Sequence, residues 1–283
     1  MNTFLKRSLT AIIFAVVMLT GLLWSYETFT LLFLLITIGS AWEYDRLIGR
    51  FRIYNRISVL AYRWISTLCC VLVYASFYLT VLTHSLVWLS ALPACLFIFF
   101  SVELFSLTDR SIQNIALNVF GVLYTAIPFG LLHLIVDLHQ NDTAMWFPGQ
   151  VNIILSLLLL IWVNDTFAYI GGSLIGRHKL FPAHSPKKSW EGFVIGMIGA
   201  LAAAFIINKW LLNEFDIQLP ILLAFVAAVI GTTGDLFESM IKRNAGVKDS
   251  GSLMPGHGGF LDRFDAFLFT IPFVFILMLI LNY

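Results

Sequence analysis

Nine apolar runs, each roughly long enough to cross a bilayer, constrain this chain more than any other feature. They fall at about Leu9–Trp24, Thr28–Leu47, Ile65–Leu82, Ser85–Ser101, Ile115–Val136, Val151–Gly172, Gly192–Leu212, Leu219–Ile241 and Asp265–Leu281. A soluble domain carries about a quarter charged residues. Here 12% are charged and 59% hydrophobic, which excludes a soluble protein with a single anchor. The expected fold is an all-α polytopic membrane protein with about nine transmembrane helices.

The basic residues orient the spans. With the N-terminus cytoplasmic, the cytoplasmic segments hold Lys6, Arg7, Arg46, Arg50, Arg52, Arg56, Arg63, Arg110, Arg177, Lys179, Lys187, Lys188, Lys242, Arg243, Lys248 and Arg263. That is 16 of the 17 Lys and Arg, with only Lys209 outside. The C-terminus is then external. Only Thr83 and His84 separate the third and fourth runs, but merging them would invert every later loop and split the basic residues between both sides. The first run follows Lys6-Arg7 and lacks a small-x-small cleavage site, so it reads as a retained span rather than a signal peptide.

Cys69, Cys70 and Cys95 lie inside apolar runs without metal-ligand spacing and read as small buried hydrophobes. The external stretch Asp137–Gln150 shows no site. The Arg-rich stretch Arg46–Arg63, with Phe51, Tyr54 and Tyr62, suits either anionic headgroups or plain positive-inside anchoring. Glu43 near the inner end of the second run could pair with a neighbouring Arg or reach a site. The organisation expected is a scaffold of transmembrane helices over 1–150 and a catalytic half over 151–283 with cytoplasmic substrate loops.

Chemistry concentrates in that second half. Residues 239–265 pack Lys242, Arg243, Lys248, Asp249, His257, Asp262, Arg263 and Asp265 among Gly246, Gly251, Gly256, Gly258 and Gly259. Glycine lets backbone N–H groups approach an anion, and carboxylates suit Mg²⁺. Asp165 stands inside the sixth run, where a charge costs at least about 2.5–3.5 kcal/mol on insertion scales. The loop after it carries Ser185-Pro-Lys187-Lys188-Ser189 into a new helix, which suits a polyphosphate or, more simply, an N-cap at Ser189. Asp235, Glu238 and Ser239 share a helix face by i, i+3, i+4 spacing.

Depth ties these groups together. Asp165 and Asp235 each lie about seven residues, or roughly 10 Å, before the inner ends of their helices. Asp262 and Asp265 enter from the same side. Acids from three spans thus meet in the cytoplasmic third of the bilayer beneath two basic loops. A metal cradle under a phosphate cradle suits phosphoryl or nucleotidyl transfer between a soluble nucleotide and a lipid. A lipid phosphate is already ionised and attacks directly, so neither a strong base nor a covalent nucleophile is needed.

The pattern Ser239-x-x-Lys-Arg-x₄-Lys-Asp-x-Gly-x₃-Pro-Gly-His-Gly-Gly-x-x-Asp-Arg-x-Asp265 resembles the signature of the phosphatidate cytidylyltransferases, the CDP-diacylglycerol synthases. Ser185–Gly192, Asp165 and Gly234-Asp235 resemble the family's other motifs. The detailed resemblance runs from about Asn164 to the C-terminus. Earlier residues match only in character, apart from Ala41-Trp42-Glu43, and Met254 stands where Ile or Leu is expected. The resemblance implies that phosphatidate attacks the α-phosphorus of CTP, giving CDP-diacylglycerol and pyrophosphate. It implies Mg²⁺, leaves open a second cation such as K⁺, and implies a homodimer in the bilayer, the inner membrane if bacterial. No nucleic-acid partner is expected.

By that carry-over, Asp235, Asp262 and Asp265 are the first metal ligands, with Asp165 and Asp249 behind them. The three lead acids act in catalysis with Lys242 and Arg243. Ser185, Lys187, Lys188, Ser189, Ser239, Lys248, His257, Gly258, Gly259 and Arg263 bind substrate.

Other classes fit less well. The Asp-Gly-x-x-Ala-Arg pattern of CDP-alcohol phosphotransferases and the Asp-Asp-x-x-Asp pairs of aromatic prenyltransferases are absent. An ion-coupled transporter would use intramembrane acids but has no need of the basic, Gly-rich loops. A CTP-dependent enzyme acting on another lipid phosphate is the nearest alternative.

Overall fold

The computed structural model describes residues 3–52, 57–106, 109–138, 151–213, 215–251 and 258–281, with side chains in the first helix from Thr10 onward. Among these residues the chain forms nine helices: α1 (Thr3–Leu23), α2 (Tyr26–Ile48), α3 (Val59–Thr83), α4 (Leu86–Ser106), α5 (Ser111–Leu138), α6 (Asn152–Ile175), α7 (Trp190–Trp210), α8 (Gln218–Asn244) and α9 (Leu261–Ile280). Each covers one of the nine apolar runs. The seven from α3 to α9 are long and apolar enough to cross a membrane. The more polar α2 carries Glu27, Glu43, Asp45 and Arg46. The protein is thus an all-α polytopic membrane protein. Arg56 and the stretch 139–150 lie outside the described residues.

The narrow gap between α3 and α4 is a real break. His84 takes a left-handed conformation (φ 50°), which closes α3 through its N–H to Val81, and α4 begins with a 3₁₀ turn over Leu86–Ser90. Within α5 a π turn spans Val122–Ala126. One loop is more regular than the sequence suggests. Strands β1 (Lys179–Phe181) and β2 (Ser185–Ser189) pair antiparallel, the only strands among the described residues.

Packing divides the chain into two compact units. The first comprises residues 1–138 together with 244–263. Its core gathers Ala41, Val73, Phe77, Phe99, Val122 and Ala126 around Cys69, Cys70 and Cys95, all free thiols and all buried. A polar cluster is buried in the same unit. Arg52 bonds Asp45 Oδ1 and Asn118 Oδ1, both at 2.5 Å, while Arg63 lies 3.7 Å from Asp45 and Tyr62 donates to Glu103 at 2.6 Å. Two arginines of the Arg-rich stretch are therefore spent inside the fold rather than on headgroups.

The second unit comprises 139–243 and 264–283, hence α6, the hairpin, α7, α8 to Arg243 and α9 from Phe264. Small residues let α6 and α7 meet backbone to backbone. A Cβ on Gly192 would come 2.7 Å from the Ala168 carbonyl oxygen, and one on Gly196 2.8 Å from that of Asn164. The sequence division at 150 is one of roles, which packing alone does not test.

Candidate active site

The second unit holds the intramembrane acids. Asp235 sits near the C-terminal end of α8 and Asp265 in the first turns of α9. Gly234 brings the two helices together: a Cβ there would lie 2.6 Å from the Asp265 carbonyl oxygen and 2.9 Å from Phe269 Cβ. The carboxylates consequently share one neighbourhood. Asp165, Asp235 and Lys242 are all near enough to Asp265 to act on its charge. Asp235 and Asp265 are partly exposed and Asp165 is open.

Cations already approach this group. Lys188, on β2, places Nζ 2.5 Å from Asp235 Oδ2, with about a third of each side chain exposed (27% and 35%). On α8 the hydroxyl of Ser239 donates to Asp235 Oδ1 at 3.3 Å, as the i, i+4 spacing requires. One turn on, buried Lys242 pairs with Glu238. The hairpin is anchored at its second end by Ser189, which caps α7 by accepting from Gly192 N–H at 3.1 Å. Its other end is held by Glu191, whose carboxylate lies 2.6 Å from His178 Nδ1 and accepts the His178 and Arg177 N–H groups. Ser185 is half-buried, whereas Lys187 and Arg243 are exposed.

The glycine-rich signature belongs to the first unit from Asn244 to Arg263. Asp262 organises it. Its Oδ2 accepts from Ser250 N–H (2.9 Å), the Ser250 hydroxyl (2.9 Å) and Gly259 N–H (2.8 Å). Gly258 takes φ 82°, and a Cβ there would meet Asp262 Oδ2 at 2.5 Å, so only glycine suits the turn. Lys248, Asp249 and Arg263 are exposed. His257 lies outside the described residues.

Of the two roles the sequence left open for Glu43, pairing with a neighbouring Arg or reaching a site, the structure shows contact with this loop. Glu43 is buried on α2 and accepts from the Ser250 hydroxyl at 2.8 Å and the Leu261 N–H at 3.0 Å. Arg46 donates to the Ser250 carbonyl at 2.6 Å, and Arg50 to that of Ala245. The signal was the i, i+3 spacing of Glu43 and Arg46, which puts them on one helix face, with Arg50 in the turn directly after it.

The cytidylyltransferase family model matches residues 5–281. The chain belongs to the cytidylyltransferase family. Within it, phosphatidate cytidylyltransferase of Staphylococcus haemolyticus is 37% identical over 191 residues, covering 68% of this chain and 69% of that protein. The same-named protein of Staphylococcus aureus strain COL is 35% identical over 193 residues with the same coverage. That of Haemophilus influenzae is 40% identical over 167 residues, 57% of each chain. As a cytidylyltransferase-family member the protein is a nucleotidyltransferase by descent, and its apolar helices make it an integral, multi-pass membrane protein.

Among the described residues, no three His, Cys, Asp or Glu side chains stand close enough to hold a metal ion by themselves. Mg²⁺ seldom needs that many. It keeps several waters and is usually held by one or two carboxylates plus substrate phosphates. The all-oxygen pair Asp235 and Asp265, with Asp165 nearby, fits that habit.

Proposed function

We propose that this protein transfers the cytidylyl group of CTP to phosphatidate at the cytoplasmic face of the membrane. A non-bridging phosphate oxygen of phosphatidate forms a bond to the α-phosphorus of CTP. The α–β bridging bond breaks, its electron pair leaves with pyrophosphate, and CDP-diacylglycerol remains. The observation that carries the reading is the group Lys188, Asp235, Asp265 and Lys242 in a chain of this family: acids and ammoniums interleaved on spanning helices and the hairpin beside them.

Asp235 and Asp265 would hold Mg²⁺, with Asp165 as a further acid. The ion would neutralise charge on the triphosphate as the transfer proceeds. Lys188 rests on Asp235 and is placed to turn to a phosphate when one arrives. Ser239 orients the Asp235 carboxylate. Lys242 lends positive charge from within the helix, while Lys187, Arg243, Lys248 and Arg263 are the exposed cations that steer anionic substrates. His257 and Asp249 keep the roles that the family signature implies. Asp262 orders the glycine-rich loop through Oδ2, whatever else it does. The N-terminus lies inside and the C-terminus outside, and two copies pair in the bilayer.

The test is incorporation of radiolabelled CTP into lipid by purified protein in phosphatidate mixed micelles, with Mg²⁺, with chelator, and in Asp265→Asn and Asp262→Asn. A Mg²⁺-dependent CDP-lipid that Asp265→Asn lowers by a hundredfold or more, about the effect of losing a key electrostatic group, is the expected result. Binding of CTP with no product from phosphatidate would move the reading to another lipid phosphate. No binding of CTP at all would end it.

A further inference from the structure

We propose that one stripe of α2, continued into the turn after it, acts as a positioning device for the substrate loop that follows α8. On α2 it runs Gly39, Glu43 and Arg46, spaced i, i+4, i+7 on one helix face, and Arg50 follows in the turn just past the helix end. Every member meets the segment between Ala245 and Leu261. Gly39 leaves room for the Phe260 ring, which a Cβ would strike. Glu43 binds the loop at both ends, through the Ser250 hydroxyl and the Leu261 N–H. Its carboxylate also fills the space beside Gly251 and Gly259, where any side chain would collide with it. Arg46 and Arg50 hold the Ser250 and Ala245 carbonyls.

The chemistry of these contacts argues against simple helix packing. Glu43 is 6% exposed, and a carboxylate that deep is destabilising unless donors surround it. Its donors among the described residues, Ser250 and Leu261, come from this loop and the helix start that closes it. Arg46 and Arg50 likewise spend their charge on backbone carbonyls of that loop rather than on an acid of α2. Between those two carbonyls lie Lys248 and Asp249, both exposed and neither tied to the stripe by any described bond. The stripe therefore fixes the backbone on either side of two side chains that stay open to substrate. Its members are positioning residues, and touch no reacting atom.

The inference rests on the function proposed above for the use of the loop, but not for the tether itself. Wild type, Glu43→Gln, Arg46→Ala and Arg46→Lys are purified in detergent and compared by three readouts. These are kcat/KM for CTP at saturating phosphatidate, melting temperature, and amide exchange without substrate. Glu43→Gln and Arg46→Ala are expected to lose about tenfold or more in kcat/KM, as a displaced loop would. Melting should change little, while the Ser250, Gly259 and Leu261 amides exchange faster. Arg46→Lys should recover most activity, because an ammonium can still donate to the Ser250 carbonyl. Near wild-type kcat/KM in both Glu43→Gln and Arg46→Ala would overturn the proposal. So would a loss that follows melting and is not restored by Lys. If wild type turns over no CTP, the proposed function fails on its own, and unchanged amide exchange in Glu43→Gln is then what overturns the tether.

Discussion

Lys188 and Asp235, forty-seven positions apart, form an ion pair in which a hairpin ammonium lies 2.5 Å from a helix carboxylate. The hairpin is thereby bound to α8 by a bond that substrate or metal can compete for. A lysine is well suited to such exchange, being a compact charge on a flexible stem. Lys188→Ala should lower kcat/KM for CTP by about a hundredfold, as loss of a charge-stabilising group does. Lys188→Arg should fall between the two. Steady-state kinetics with varied CTP measures this, and an unimpaired Lys188→Ala would remove the residue from the site.

Gly234 makes a different demand. A methyl group there would lie 2.6 Å from the Asp265 carbonyl oxygen, so α8 and α9 would have to part. Gly234→Ala should cost about 1–3 kcal/mol, the usual range for overpacking. It should also cost activity, since the shift moves Asp235 from Asp265. Gly231→Ala is the control: a Cβ there would sit 3.5 Å from Ala266 Cβ, an ordinary contact. Thermal melting and CTP turnover for the pair decide it.

Arg52 and Asp45 are both fully buried. Arg52→Ala would leave the Asp45 charge poorly compensated and should destabilise by about 3–5 kcal/mol. Removing both, as Asp45→Ala with Arg52→Ala, should cost less than removing Arg52 alone. Protein that stays folded should keep its kinetic constants, because the pair belongs to the scaffold. Melting curves of the single and double variants check the order.

The orientation read from the basic residues has a direct assay. A reporter active only outside the cytoplasm, fused after Tyr283, should be active. The same reporter fused within the hairpin 179–189 should be silent. The reverse pattern would place the acidic group on the wrong side for cytosolic CTP.

Apolar runs made the nine described helices legible, the seven from α3 to α9 because helices that can span lipid write their length directly into the sequence. Asp165, Asp235 and Asp265 were legible too, since a charge in a span has few innocent explanations. The hairpin was hidden: Lys179–Ser189 is short, polar and interrupted by two prolines, with no alternation to betray strands. The loop contacts of Arg46 and Arg50 were hidden for another reason. Arg46 and Arg50 already had a sufficient explanation as positive-inside residues, and their partners lie 204 and 195 positions away. Asp45 and Glu103 passed unnoticed near the ends of their helices, where acids are common, although both are buried.

The distance between α2 and its loop has a consequence for how the protein is made. Synthesis makes α2 early, with Glu43 and Arg46 on one face, Arg50 just past its end, and their partners in residues 245–261 not yet made. The Leu261 amide that completes Glu43 is 218 residues downstream, at the threshold of the final helix. Through most of translation, three charged side chains thus wait at the end of α2 without the partners they have in the finished fold. A chain stopped before α9 would have made the Ala245 and Ser250 partners of the stripe but would lack the Leu261 donor to Glu43.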